Sequence, residues 1–352
     1  MTERRYDVDW IRVITIALLI VYHVAIVFQP WGLMIGFMTN TENWLSLWLP
    51  MSFLNVWRIP ILFFIAGMGL CFSFRNRSWK ELLKERLLRI GLPLLFGFVV
   101  ITPVYLFILQ KYYDWKFQYK PHAGHLWFLG NILCYVLLAI APLYYIRKVA
   151  NKNTIVKIRK ALSGVIILPI IIVCFIMETI IVNPPVYEMY AETIHGFFLG
   201  LLAFVFGIVF AFLDGNFWKM LTKYKWLFLC FSAFFFTIRV GNYFDFPQRI
   251  NMPVETCLWI FTVFAFANKH FNFSNTALSY LSKAAYPVYI VHMIFLGLSC
   301  MTILPLTIQV QLKFLMVLIG TTTGSLLFYE FIIKRNKYIG TLFGIIDNRK
   351  QI

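Results

Sequence analysis

The sequence predicts an all-α, polytopic integral membrane protein with about ten transmembrane helices and both termini in the cytoplasm. Of its 352 residues, 61% are hydrophobic and 13% charged, at a mean hydropathy of +0.75. A soluble domain of that balance would carry far more apolar surface than its polar groups could cover. Apolar runs of about 18 residues or more, enough to cross about 30 Å of hydrocarbon at 1.5 Å per residue, recur along the whole chain. Basic residues alternate between loops: segments 4–5, 75–89, 147–160, 219–225, 269–283 and 334–350 hold three-quarters of the 32 Lys and Arg residues. The opposite loops hold Lys111, Lys116, Lys120, Arg239, Arg249 and Lys313, while Arg12 and Arg58 fall inside spans. This is the positive-inside pattern. The formal charge of +17 is therefore topology, with membrane lipids and phosphate ligands as its partners, and not a nucleic-acid interface.

Taken in order, the first span, 10–30, follows Arg4 and Arg5 as a signal peptide would, but no small-residue cleavage site succeeds it, so it reads as retained. The second, 44–73, is apolar except for Arg58, and the third, 87–109, enters from a basic segment and carries Pro93, which kinks it. The fourth (126–146), fifth (162–182) and sixth (195–213) follow, with His125 and His195 at outer ends and Glu178 near the outer end of the fifth. The seventh (226–240) and eighth (253–268) are the shortest; the ninth (285–304) and tenth (311–333) complete the set, with Glu330 placed to pair with Lys334 four residues on. Flexible linkers and repeats are absent, so one membrane domain, residues 1–352, fills the chain without a fused soluble domain. The six cysteines all lie in apolar segments without a Cys-x-x-Cys, as small buried hydrophobes rather than a disulfide or zinc framework.

Two residues of the first span, `DVDWIRVITIALLIVYHVAIVF` (7–28), break its apolar character. Eleven residues separate Arg12 from His23; at about 100° per residue that is about 20° past three full turns, so they share a face about 16 Å apart along the axis. Asp9 stands three residues before Arg12, in reach to pair with it. An ionisable group in hydrocarbon costs several kcal/mol unless it faces a cavity or partner, about 2.5 to 3.5 for Arg. The stripe is either functional, or Arg12 snorkels to the inner interface while His23 makes an interhelical hydrogen bond.

Asp-x-x-Arg followed by ten residues and His resembles the opening of the membrane-bound acyltransferase family 3, whose members O-acylate sugars and related envelope molecules. `RIPILFFIAGMGL` (58–70), `KERLLRIGLP` (84–93), `GHLWFL` (124–129) and `YPVYIVHMIF` (286–295) resemble further family motifs, in the family's order and across nearly the whole chain. Arg58 before Ile-Pro, together with `GHLWFL`, is most similar to the branch that succinylates periplasmic glucans. The resemblance implies a bacterial cytoplasmic (inner) membrane enzyme moving an acetyl or succinyl group from acyl-CoA to a carbohydrate or glycan hydroxyl, without a bound cofactor or metal.

The polar residues divide accordingly. Arg12, Arg86 and Arg89, at inner ends of the first and third spans, offer charge-assisted hydrogen bonds to acyl-CoA phosphates, or serve Arg86 and Arg89 as topological anchors alone. Outside, His125, His195, Glu178, Arg239 and Glu255 accompany Trp31, Trp44, Trp48, Trp115 and Trp127, an interfacial belt or a stacking surface for sugar rings. Histidine, with a pKa near 6.5, suits deprotonation of a hydroxyl, so His23 is expected as base or transient acyl carrier. Arg58 is expected to stabilise the oxyanion, unless it pairs with an acid such as Glu178. His292 lines the site or packs between helices. The alternative reading is a secondary transporter or flippase, which also uses buried Arg and His and Gly/Pro-broken helices. Against it, no matching pair of broken helices marks the two halves.

Overall fold

The computed structural model describes residues 4–75, 77–213, 215–241 and 248–346, and among these there is helix and no strand. In chain order the helices are α1 (Tyr6–Ile26), α2 (Leu45–Phe74), α3 (Trp79–Tyr112), α4 (Gly124–Val149), α5 (Lys152–Leu162), α6 (Ile167–Val182), α7 (Ile194–Phe212), α8 (Gly215–Lys223), α9 (Lys225–Gly241), α10 (Gln248–His270), α11 (Thr276–Ile303), α12 (Val310–Ile333) and α13 (Lys337–Leu342). Among the described residues eight of them are long and apolar enough to cross a membrane alone, and the count reaches ten if each of two bent pairs is one span.

Those pairs are the fifth and seventh spans of the sequence reading. The helix α6 has 16 residues and α9 has 17, short of the about 20 that a bilayer asks for. Each is preceded by a polar helix at a sharp angle, α5 to α6 at 76° and α8 to α9 at 57°. The eighth span is longer than 253–268, because the helix runs from Gln248 and carries Pro253 inside it. Within α3, π-helical turns at Leu87–Gly91 and Gly97–Ile101 flank Pro93. These wider turns absorb the backbone hydrogen bond that proline cannot make.

The chain forms two compact units interleaved in sequence. The first takes Met1–Arg12, Asn55–Leu83 and Cys134–Leu278. Its α10 packs against α6, α8 and α9, and α6 against α7. Helices α2 and α7 touch backbone to backbone: a Cβ added at Gly67 would lie 1.9 Å from the Phe204 carbonyl oxygen, and one at Gly207 2.0 Å from that of Phe64. Where lipid tails are as apolar as leucine, such small-residue contacts hold helices together by close packing. Phe64, Phe210 and Phe217 fill the space alongside, with ring centroids 5.3 and 4.9 Å apart.

The second unit takes Val13–Leu54, Lys84–Leu133 and Ser279–Ile352. Its core gathers the C-terminal end of α1 with the two residues after it (Val24 to Phe28), Tyr105 and Leu109 of α3, and Met293, Leu296 and Cys300 of α11. The loop after α1 folds back over this core. The Asn40 N–H donates to the Val27 carbonyl at 2.9 Å, Trp44 N–H to Phe28 at 2.9 Å, and the Tyr105 hydroxyl to Gly36 at 2.9 Å. Gly36, at φ +82°, makes the reversal possible in a region where a side chain would strain the backbone. Lys313, at the start of α12, is buried and donates to the Leu304 carbonyl at the end of α11 (2.7 Å) and to Asn40 Oδ1 (3.3 Å). Leu95, Leu138, Phe234 and Leu327 remain exposed on helix faces, as lipid-facing residues should.

Candidate active site

The segment `YPVYIVH` of α11 organises the site by its spacing. Tyr286, Tyr289 and His292 recur every three residues, which lays their side chains along one slanting stripe of the helix. Each reaches a different part of the second unit. The Tyr286 hydroxyl donates to the Arg89 carbonyl of α3 at 2.8 Å. The Tyr289 hydroxyl donates to the His125 carbonyl at the start of α4 at 2.6 Å. His292 Nε2 lies 2.8 Å from His23 Nδ1 on α1.

Three imidazoles thus collect in the unit. His292 is completely buried, and its Nδ1 lies 2.6 Å from the Tyr289 carbonyl oxygen three residues before it. His125 Nε2 lies 3.1 Å from the Ile290 carbonyl, and its ring stands edge-on to His292 with centroids 5.1 Å apart. Phe37, from the loop after α1, sets its edge against His23 at 5.4 Å between centroids. Gly124 begins the turn that delivers His125; its φ is +51°, and a Cβ there would meet Thr102 and His122 at 3.1 Å. Thr102 in turn donates to the His122 carbonyl. The `GHLWFL` and `YPVYIVHMIF` stretches, separated by over 150 residues, therefore build one wall around His23.

The residues expected to hold a donor lie at helix ends. Arg12 Nη2 bonds Asp9 Oδ1 at 2.7 Å, as the three-residue spacing implies, and Arg4 Nη2 takes the other carboxylate oxygen at 2.9 Å. Both belong to the first unit. In the second, Arg89 Nε lies 3.1 Å from Glu85 Oε1, one turn earlier, with Arg86 at the end of the first α-helical stretch of α3. Arg12 and Arg89 are 38% and 40% exposed, so both keep a face open to a ligand.

Arg58 belongs to the first unit, as do Glu178, His195, Arg239 and Glu255 of the polar set expected outside. Arg58 is 1% exposed within α2, among the most buried side chains of the chain. Glu178 lies with Oε1 3.0 Å from His195 Nδ1, while His195 Nε2 lies 3.0 Å from the Tyr187 carbonyl. Arg239 holds Glu255 by a two-pronged bond, 2.7 Å from Nε and 3.0 Å from Nη2, with Glu188 at 3.5 Å. The indole of Trp259 donates to the same Glu255 at 3.3 Å. Glu188, in the loop between α6 and α7, has its carboxyl pushed above the usual range by burial, against the pull of Arg239. Glu178 with His195 and Arg239 with Glu255 are nearly inaccessible bonded pairs, which clamp α6 to α7 and α9 to α10. Glu330 pairs with Lys334 at 2.7 Å, as its spacing indicates. Among the described residues no group of three or more metal-ligating side chains is placed to hold an ion.

Sequence spacing identified His23 and offered His292 as either lining or packing, but not their direct contact. Tyr289 was missed; its three-residue offset from His292 was the available signal.

The model of the acyltransferase domain family matches residues 5–330. Glucans biosynthesis protein C of Shigella dysenteriae serotype 1 (strain Sd197) is 26% identical over 329 residues, covering 82% of this chain and 81% of that protein. Glucans biosynthesis protein C of Escherichia coli (strain K12) is 25% identical over 329 residues with the same coverage. No solved structure matches the chain.

Proposed function

From the premise that this chain belongs to the acyltransferase domain family, and is a membrane O-acyltransferase of glycans, we propose that it moves an acetyl or succinyl group from cytosolic acyl-CoA to a hydroxyl of an extracytoplasmic glycan. The observation that carries this is the part-buried contact of His23 with the fully buried His292 at 2.8 Å, on the helix whose inner end bears Arg12. A polar pair there is costly unless the site needs it. Relatives named for glucan biosynthesis support a glucan as the acceptor class, and in this reading the protein sits in the cytoplasmic membrane of a bacterium.

In this reading the acceptor hydroxyl gives its proton to His23 while its oxygen attacks the thioester carbonyl. The carbon–sulfur bond then breaks, and the departing thiolate takes the proton from His23, leaving ester, free thiol and neutral imidazole. Arg12, Arg86 and Arg89 serve the donor's phosphates, since a guanidinium offers paired N–H groups in a fixed plane. Arg58, a cation almost wholly removed from solvent, stabilises the oxygen on which negative charge develops. Membrane lipids are the remaining partner.

Proteoliposomes given radiolabelled acyl-CoA on the side of the 147–160 loop and a glucan on the other test the proposal. Label covalently attached to glucan is the expected result. Label crossing the membrane without covalent change would make the protein a transporter. Mass spectrometry of the product identifies the acyl group.

A further inference from the structure

We infer that His292 is a positioning residue that fixes the tautomer of His23, leaving the lone pair of His23 on Nε2. The inference rests on the proposed role of His23 as base and adds what makes that nitrogen basic. His292 Nδ1 lies 2.6 Å from the Tyr289 carbonyl oxygen. A carbonyl oxygen only accepts, so at that distance Nδ1 must carry the proton. A neutral His292 then has its lone pair on Nε2. That nitrogen is 2.8 Å from His23 Nδ1, and two lone pairs do not share a hydrogen bond, so His23 Nδ1 carries the proton. Neutral imidazole has one N–H, and the lone pair of His23 is therefore on Nε2.

The order runs from Tyr289 C=O, to His292 N–H, to His292 lone pair, to His23 N–H, to His23 lone pair, every dipole aligned the same way. Aligned bonds in a low-dielectric setting polarise one another. When His23 Nε2 takes the acceptor hydroxyl's proton, the imidazolium keeps its Nδ1–H bond to His292, which strengthens as the donor becomes charged. No proton leaves Nδ1. His23 Nε2 returns its proton to the thiolate, and the pair regains its starting tautomers. Tyr289 is part of the device twice. Its carbonyl orients His292, and its hydroxyl holds the backbone of His125, whose ring stands edge-on to His292. Burial matters as well: His292 has no exposed surface, so water does not compete for its nitrogens.

Nitrogen-15 NMR of the full-length protein, with labelled histidine and the His23 signal assigned by its loss in His23→Gln, reads the tautomer without reference to activity. The expected result is a protonated Nδ1 and unprotonated Nε2 for His23 in the wild type. In His292→Leu, which removes the acceptor, the Nε2–H form should appear. A wild-type His23 protonated on Nε2, or a tautomer unchanged in His292→Leu, overturns the inference. Kinetics supply the second arm. His292→Gln retains an acceptor oxygen for His23 and an amide N–H for the Tyr289 carbonyl, and should keep kcat within about tenfold. His292→Leu should lose about 10² to 10⁴ in kcat while the donor KM changes by less than about twofold, as when the orienting group of a base is removed. Equal kcat for Leu and wild type overturns the positioning role, as does a Gln variant no better than Leu. If acyl-CoA is not a substrate of the wild type, the functional reading fails, and the NMR result still decides the tautomer.

Discussion

As the proposed base, His23 would have to bind a proton reversibly inside a membrane protein, which an isolated imidazole in an apolar setting does poorly because its charged form is desolvated. The His292 contact answers that difficulty by giving the charged form a hydrogen-bond acceptor. If His23 is the base, His23→Ala should lower kcat by about 10² to 10⁴ with the donor KM unchanged. His23→Asn should be no better, although its amide can still donate to His292; near wild-type turnover of the Asn variant, per folded purified protein, would make His23 a packing residue. In the proposed reaction Arg12 serves a different step. Its contact with phosphate would exist in ground and transition states alike, so Arg12→Ala should raise the donor KM, and Arg12→Lys should restore little because an ammonium lacks the paired N–H plane. Normal donor KM in both variants assigns Arg12 to anchoring. Glu188 carries a pH signature. Its folded carboxyl sits above the ordinary range through burial, so the native state holds that proton more tightly, and stability falls as pH rises through the raised value. The Tm of Glu188→Gln relative to wild type should therefore increase as pH climbs from the ordinary carboxylate range upward. A difference independent of pH removes this residue as the source. Arg12, Asp9 and His23 were legible in the sequence because helical periodicity fixes their relation within α1. The His23–His292 bond joins residues 269 apart and depends on how α1 and α11 pack, which no local pattern encodes.

Helices α2 and α7 touch where Gly67 and Gly207 leave room for each other's backbone, and this is the clearest element-level dependence in the first unit. A methyl group at either position meets a carbonyl oxygen at 2.0 Å or less, and backbone cannot rotate away as a side chain can. Gly67→Ala and Gly207→Ala should each separate the helices, at about 1 to 3 kcal/mol for an overpacked contact, seen as a Tm lowered by several degrees in detergent. Gly69→Ala is the control, since nothing lies within 4 Å of its added Cβ. Equal Tm values for Gly67→Ala and Gly69→Ala would show that the two helices do not depend on this contact. Eight helices were readable because about 20 apolar residues have few other solutions in a bilayer. The bends before α6 and α9 were not, since a 16- or 17-residue apolar run states its length but not the angle of the polar helix before it. The π-helical turns on either side of Pro93 belong in the same class: proline announces a broken hydrogen bond, and the packing of the neighbours decides how the backbone absorbs it.

For the molecule as a whole, the proposed reaction meets a cytosolic donor and an extracytoplasmic acceptor from opposite faces, so orientation and the proposed mechanism stand or fall together. The basic segments 75–89 and 147–160 lie on one side by the loop alternation, and translocating so many Lys and Arg residues is opposed both by the insertion machinery and by the membrane potential, at about 2.3 kcal/mol per charge per 100 mV. These loops, and both termini with them, should face the cytosol, where acyl-CoA is made. Lys157, exposed on α5, and Lys116, exposed in the loop after α3, sample the two sides. In a background without reactive cysteines, Lys157→Cys should resist an impermeant thiol reagent in intact cells and react once they are permeabilised, whereas Lys116→Cys should react in both. The reverse pattern would place Arg86 and Arg89 outside, away from any coenzyme A thioester, and would end the assignment of those arginines to the donor. Labelling of both in intact cells would mean that the chain between them crosses the membrane an even number of times, contrary to α4 as a span. The expected pattern fixes the face from which the donor enters, and with it the direction in which the acyl group travels past His23.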